Sequence, residues 1–231
     1  MSLPIIVFDL DGTLVDTAPD LLDSLNHCLR SVELPAADAG ELRKFVGSGA
    51  RVMLERAFAA HGQPLGDSQL EALMALFIEH YTAGMPGRSR PYAGALAALS
   101  RFEEAGYIAA VCTNKMERMA QRLLETLGIA SRFKAICGAD TFGHRKPDPR
   151  HLTDTIARAG GDRDRAIMVG DSRTDIDTAR AAGIPVVAVD FGYSDEPVQA
   201  FAPSRVITHF DDLTVPLGET LLQAVAGEAA S

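Results

Sequence analysis

Two aspartates one residue apart follow directly on a short apolar run, in the segment Pro4-Ile5-Ile6-Val7-Phe8-Asp9-Leu10-Asp11-Gly12-Thr13. Such a pair can divide labour: one carboxylate is oriented to attack or to hold a hard cation, and the other passes a proton. Asp and Gly are also ordinary turn residues, so this segment alone equally describes an acidic turn. An EF-hand does not fit, because its loop spacing and flanking helix are missing.

Three further groups stand at comparable places. Thr113-Asn114-Lys115 follows an apolar run and offers a hydroxyl and amides at a predicted helix start, where N–H groups can hold phosphate oxygens; as a plain helix cap, Thr113 would read the same way. Lys146 stands in Gly143-His144-Arg145-Lys146-Pro147-Asp148-Pro149, where Asp148 as N-cap and Pro149 at the first helical position fix the next helix start. An ammonium fixed there can neutralise both an attacking carboxylate and a phosphate, whereas a lysine taken alone is usually a solvated charge. Gly170-Asp171-Ser172-Arg173-Thr174-Asp175 places two acids four apart, which suits a hard cation or simply a helix cap with an acid in its first turn. With Asp9 and the Asp11 region, Asp171 can complete an oxygen-ligand site that keeps positions open for water and phosphate, as Mg²⁺ prefers.

The elements that position these groups are legible as apolar runs at residues 4–8, 107–112, 165–169 and 184–189, with a weaker one at 134–137. Between them lie helical patterns that stop at Gly106, Gly128, the Gly160-Gly161 pair and Gly183. Repeated helix, glycine, strand units predict an α/β fold with a doubly wound parallel sheet. Residues 16–90 interrupt the alternation: they show no clear strand and carry several helical stretches, the first with Leu21, Leu22, Leu25, Cys28, Leu29 and Val32 on one face. This predicts a core of residues 1–15 and 91–231 with an inserted helical cap of residues 16–90, the chain returning through residues 85–92. The tail from residue 224 is expected to fray.

Composition narrows the function classes. The chain has 231 residues, 47% of them hydrophobic, and a formal net charge of −9. That length buries a sizeable core, and that charge makes nucleic acid or an anionic membrane surface a poor partner. The N-terminus has no basic lead-in, and no run approaches the ~18 apolar residues of a span; neither a signal peptide nor a membrane span is expected. Three cysteines, Cys28, Cys112 and Cys137, form neither a metal pair nor an even disulfide set, which predicts a reducing, cytoplasmic compartment. Cys112 and Cys137 read as buried small hydrophobes, and Met53 and Phe58 as cap core. The six histidines show no ligand spacing. His27, His61 and His80 read as surface or cap-packing residues, and only His144, near Lys146, invites attention.

Four such groups in this order, each at a strand end, resemble the haloacid dehalogenase superfamily over nearly the whole chain. The resemblance implies Asp9 as nucleophile, Asp11 as general acid and base, Thr113 and Asn114 as phosphate binders and Lys146 as charge stabiliser. It also implies a Mg²⁺ held by Asp9, the Asp11 backbone carbonyl and Asp171, with Asp175 supporting the metal from behind. Asp11 sets the chain apart from the dehalogenase branch, which lacks that second aspartate and uses no magnesium. Within the superfamily, residues 45–58 of the insert resemble the cap segment of bacterial phosphoglycolate phosphatases. Gly47 and Gly49 are no dinucleotide fingerprint, because Val52 stands where a third glycine belongs.

The expectation is therefore a Mg²⁺-dependent phosphatase acting on a small phosphorylated metabolite, 2-phosphoglycolate, through an aspartyl-phosphate, as a monomer or homodimer. Alternatives are another phosphatase or a β-phosphoglucomutase-like mutase of the same fold, and a non-catalytic binding protein that keeps the fold. The cap is expected to choose the substrate, with its turn at residues 46–51 over the site and Arg43 and Arg51 as readers of the carboxylate.

Overall fold

A computed structural model describes residues 2–37, 40, 46 and 49–229, with backbone alone at 228 and 229. Its centre is strand β1 (Leu3–Phe8), whose Ile5, Ile6, Val7 and Phe8 have no solvent exposure. Such a strand belongs inside a sheet covered on both faces, and each of these side chains contributes about 1.5–3 kcal/mol by burial. Strands β4 (Ile108–Cys112), β5 (Ala135–Cys137), β6 (Gly161–Gly170), β7 (Val186–Val189) and β8 (Arg205–Ile207) complete a six-stranded sheet in the order β5-β4-β1-β6-β7-β8. All its pairings are parallel, with Ile5 opposite Ile108 and Ala166, and Phe8 opposite Val111 and Val169.

The period of two along β1 sorts the core into two layers. Ile6 and Phe8 join side chains of helices α4 (Ala95–Glu104), α5 (Glu117–Thr126) and α8 (Val215–Ala229) on one face. Ile5 and Val7 join those of α6 (Pro149–Ala159) and α7 (Arg173–Ala181) on the other. The sheet is doubly wound, as expected, and its ligand side is the carboxyl end of the strands.

Between β1 and α4 the chain builds a third core from α1 (Ala18–Ser31), α2 (Ala50–Ala60) and α3 (Asp67–Gly84), where Leu25, Met53, Phe58 and Phe77 are buried together. This is the inserted helical cap. Two details were not legible in the sequence. The chain leaves and returns through a two-stranded antiparallel ribbon of β2 (Val15–Asp16) and β3 (Arg90–Pro91), within which both expected domain boundaries fall. The Asp20 carboxylate in the first turn of α1 accepts from Arg88 N, Ser89 N and Ser89 Oγ, tying the return loop to the outgoing helix.

Four further expectations need correction. Val32 is the C-cap of α1 and 37% exposed rather than part of its buried face, because the helix ends at Ser31. The tail from residue 224 is helical rather than irregular, since α8 continues to Ala229. β8 extends the sheet beyond the strands expected. Thr113 does not cap a helix, because α5 has Met116 as its N-cap.

Candidate active site

The four sequence groups converge at the carboxyl ends of β1, β4 and β6. Asp9 leaves β1 with its N–H donating to Val169 O at 2.9 Å, which aims its side chain past the sheet edge. Lys146 is nearly fully buried; its Nζ lies 2.9 Å from Asp9 Oδ1 and donates to Asp175 Oδ1 at 2.6 Å. Its backbone is clamped from two sides. Asn114 Nδ2 donates to Lys146 O at 3.0 Å, and Lys146 N donates to Nδ1 of the fully buried His151 at 3.2 Å. His151 Nε2 then faces Gly138 O at 3.0 Å, so the ring accepts at Nδ1 and donates at Nε2. As expected, Asp148 caps α6, with Arg150 N donating to its side chain and Pro149 opening the helix.

Ser172 caps α7 and forms a capping box with Asp175, whose Oδ2 accepts from Ser172 Oγ at 2.6 Å. The cap and the functional reading of this motif coexist: one Asp175 oxygen fixes the turn while the other holds Lys146. Asp171 Oδ1 accepts from Thr13 Oγ1 at 2.9 Å and its Oδ2 from Tyr193 N at 2.7 Å. Gly12, at φ +84°, is required here, because a Cβ would overlap Asp171 Oδ2 and the Tyr193 ring.

Carboxylate oxygens of Asp9, Asp171 and Asp175 all lie within 4.8 Å of one another. Three buried carboxylates face one ammonium, which leaves two negative charges uncompensated. Asp9 Oδ1 has no partner with hydrogen-bond geometry despite its closeness to Lys146. Burial pushes the Asp9 carboxyl up to about 6; the charges of Asp175 and Asp11 add to this, and Lys146 only partly opposes it. Burial likewise holds Asp171 well above the usual carboxylate range, reinforced by Asp175 and Asp9. Burial works against the Lys146 charge, but Asp175 and Asp9 outweigh it and hold the ammonium protonated. A divalent cation with oxygen preference fits this donor set, since it would neutralise the cluster.

Asp11 points elsewhere. It accepts from Thr17 Oγ1 at 2.6 Å and from Lys115 Nζ at 2.8 and 3.0 Å. The Lys115 ammonium is buried and lies 4.6 Å from the centroid of the Tyr81 ring on α3. Burial disfavours its charge, yet Asp11 beside it holds the pKa above the ordinary lysine value. Thr113 is buried, with its Oγ1 accepting from Lys115 N at 3.2 Å.

Part of this cluster opens on a cavity of about 360 Å³ between core and cap, which Asp171 and Asp175 do not line. Asp9, Asp11, Thr113, Asn114 and Lys146 line it from the core, and Phe77 and Ile78 from α3. Of residues 46–51, the described Val46, Gly49, Ala50 and Arg51 also line it. Arg51 sits at the rim, its side chain 58% exposed and paired with Glu55 at 3.4 Å. Arg43 lies outside the described residues. His144 pairs with Asp154 at 2.9 Å, and Cys112 and Cys137 are buried neighbours across β4 and β5.

Sequence reading missed Lys115, Thr17, His151 and Tyr193. Lys115 was visible inside its motif. Tyr193 follows a glycine just past β7, another strand end, and is the remaining signal of this kind.

A parallel sheet with an aspartate cluster at its carboxyl edge and a helical insert after the first strand defines a class. The chain belongs to the haloacid dehalogenase-like hydrolase family, whose sequence model matches residues 6–189. It is 62% identical over 224 residues to the phosphoglycolate phosphatase of Mesorhizobium japonicum, covering 97% of this chain and 99% of that one. It is 49% identical to the phosphoglycolate phosphatase of Agrobacterium fabrum, covering 98% and 97%. Among solved structures, a predicted phosphoglycolate phosphatase from Haemophilus somnus superposes with a TM-score of 0.84 at 29% identity, covering 92% and 97%.

Proposed function

We propose that this enzyme is a Mg²⁺-dependent phosphatase that hydrolyses 2-phosphoglycolate to glycolate and phosphate through an aspartyl-phosphate on Asp9. The observation that carries the chemistry is the Asp9 carboxylate at the sheet edge, 2.9 Å from a buried Lys146 and within the Asp171 and Asp175 cluster. The substrate rests on the named relatives. Asp9, Asp171 and the Asp11 backbone carbonyl would hold the metal, with Asp175 behind them. When bound, Mg²⁺ supplies a positive charge that shields the phosphate oxygens from the attacking carboxylate.

An Asp9 oxygen attacks phosphorus in line as the bond from phosphorus to the glycolate oxygen breaks. Asp11 gives that oxygen its proton, then takes one from a water whose oxygen attacks phosphorus and frees Asp9. Lys146 neutralises charge on Asp9 and on the transferring group. Thr113 and Asn114 border the phosphate position as phosphate binders; one N–H of the Asn114 amide also holds Lys146 O and so helps place Lys146. Residues 16–90 act as a cap that closes over the site and excludes water other than the reacting one.

The test is an assay of purified enzyme with 2-phosphoglycolate, with and without EDTA, following glycolate and phosphate together. Equal release of both, lost in EDTA and restored by Mg²⁺, supports the reading. An isomerised phosphate ester in place of free phosphate would sink it in favour of a mutase.

A further inference from the structure

Glycolate is a small alcohol whose carboxylate lies two bonds from the ester oxygen. An enzyme selective for its phosphate ester needs a cation beside the place where that oxygen is protonated. Among the described residues the cavity is lined by four cationic side chains: Arg51, Lys115, Arg145 and Lys146. Lys146 is committed to Asp9 and Asp175. Arg51 and Arg145 are exposed, so water screens them, and Arg51 already pairs with Glu55. Lys115 differs: its side chain is 4% exposed, and its ammonium holds both oxygens of Asp11, the residue assigned to the ester oxygen.

The surrounding wall sharpens the contrast. Met74, Phe77 and Ile78 of α3 and Met116 and Met119 of the core face the same cavity, and Tyr81 supplies its ring face beneath the Lys115 ammonium. In such a wall a charged hydrogen bond is strong, and an unpaired carboxylate is costly to bury.

We infer that Lys115 binds the carboxylate of the substrate, exchanging one of its bonds to Asp11 for it. This rests on the reading that the substrate is 2-phosphoglycolate and names the residue that selects it. Asp11 keeps its bond from Thr17 Oγ1 until the exchange, and the side chain then turns toward the ester oxygen. A phosphate ester without the carboxylate leaves Asp11 tied to Lys115. The accepted class is therefore phosphate monoesters of 2-hydroxy acids, and the selecting residue lies on the core, whereas the sequence suggested arginines of the cap.

The experiment compares kcat/KM for 2-phosphoglycolate and for ethyl phosphate, which lacks only the carboxylate, in wild type, Lys115→Met and Lys115→Arg. A charged hydrogen bond of this kind is worth roughly 10- to 100-fold. The preference for 2-phosphoglycolate should fall by about that factor in Lys115→Met and be partly kept in Lys115→Arg. Equal loss on both substrates in Lys115→Met overturns the inference, since Lys115 would then serve only to position Asp11. Absence of any preference in wild type instead removes the substrate reading itself. If Lys115→Met does not fold, as judged by its thermal transition, Lys115→Gln carries the same comparison under the same criteria.

Discussion

Lys146 Nζ lies 2.9 Å from Asp9 Oδ1 and donates to Asp175 Oδ1, so one ammonium stands between the proposed nucleophile and a carboxylate that also caps α7. Lys146→Met should therefore act on both catalysis and stability. Loss of one preorganised cation costs about 10²–10³-fold in kcat. Leaving buried carboxylates unpaired costs about 3–5 kcal/mol in metal-free protein. Steady-state kinetics and urea unfolding in EDTA check this; a variant with near-normal kcat would remove Lys146 from the transition state.

Asp9→Asn should abolish turnover, because the amide is a poor nucleophile of nearly the same size. It should also stabilise the metal-free protein in a pH-dependent way. The Asp9 carboxyl is raised from 3.8 to about 6 by burial, so between these values the folded state keeps a proton that the unfolded chain has lost. Its contribution is thus fully present below pH 3.8 and is lost as pH rises through about 6. The stability advantage of Asp9→Asn should be small at pH 4 and grow to on the order of 3 kcal/mol by pH 7. Urea unfolding in EDTA across that range measures it, and a difference that does not change with pH contradicts the assignment.

Activity should require Mg²⁺, and Ca²⁺ should substitute poorly because its looser coordination misplaces the nucleophile. Asp171→Ala should weaken Mg²⁺ binding by removing a charged ligand. Gly12→Ala should do so without replacing any ligand, because its Cβ would displace Asp171 Oδ2. Calorimetric Mg²⁺ titration that found wild-type affinity in both variants would move the metal elsewhere.

Tyr193 joins the cluster to the cap entrance. Its N–H donates to Asp171, while its hydroxyl accepts from Thr17 N and Ala18 N and donates to Asp16 Oδ1 at 2.6 Å. Tyr193→Phe keeps the first contact and removes the others. The cost should be about 1–3 kcal/mol, or roughly 2–4 °C in Tm for each kcal/mol, with Mg²⁺ affinity unchanged. Thermal scans and Mg²⁺ titration decide; a large loss of affinity would mean the hydroxyl supports the metal site itself.

By itself the sequence determined the parallel sheet, the helical insert and the positions of Asp9, Asp11, Thr113, Lys146, Asp171 and Asp175 near strand ends. It could do so because these features are local: an apolar run, the turn after it, a cap and a glycine lie within a few residues of one another, and a parallel sheet necessarily brings its strand ends to one edge. The tertiary structure alone decided which groups meet there. Lys115 and Asp11 are 104 residues apart, and Tyr193 and Thr17 are 176 apart, so no spacing announces either pair. Lys115 meets Asp11 because β1 and β4 are neighbours in the sheet, and burial decides which partner each charge keeps. The sequence pointed to Arg43 and Arg51 of the cap as candidates; that Lys115 is buried beside Asp11 is visible only in the tertiary structure.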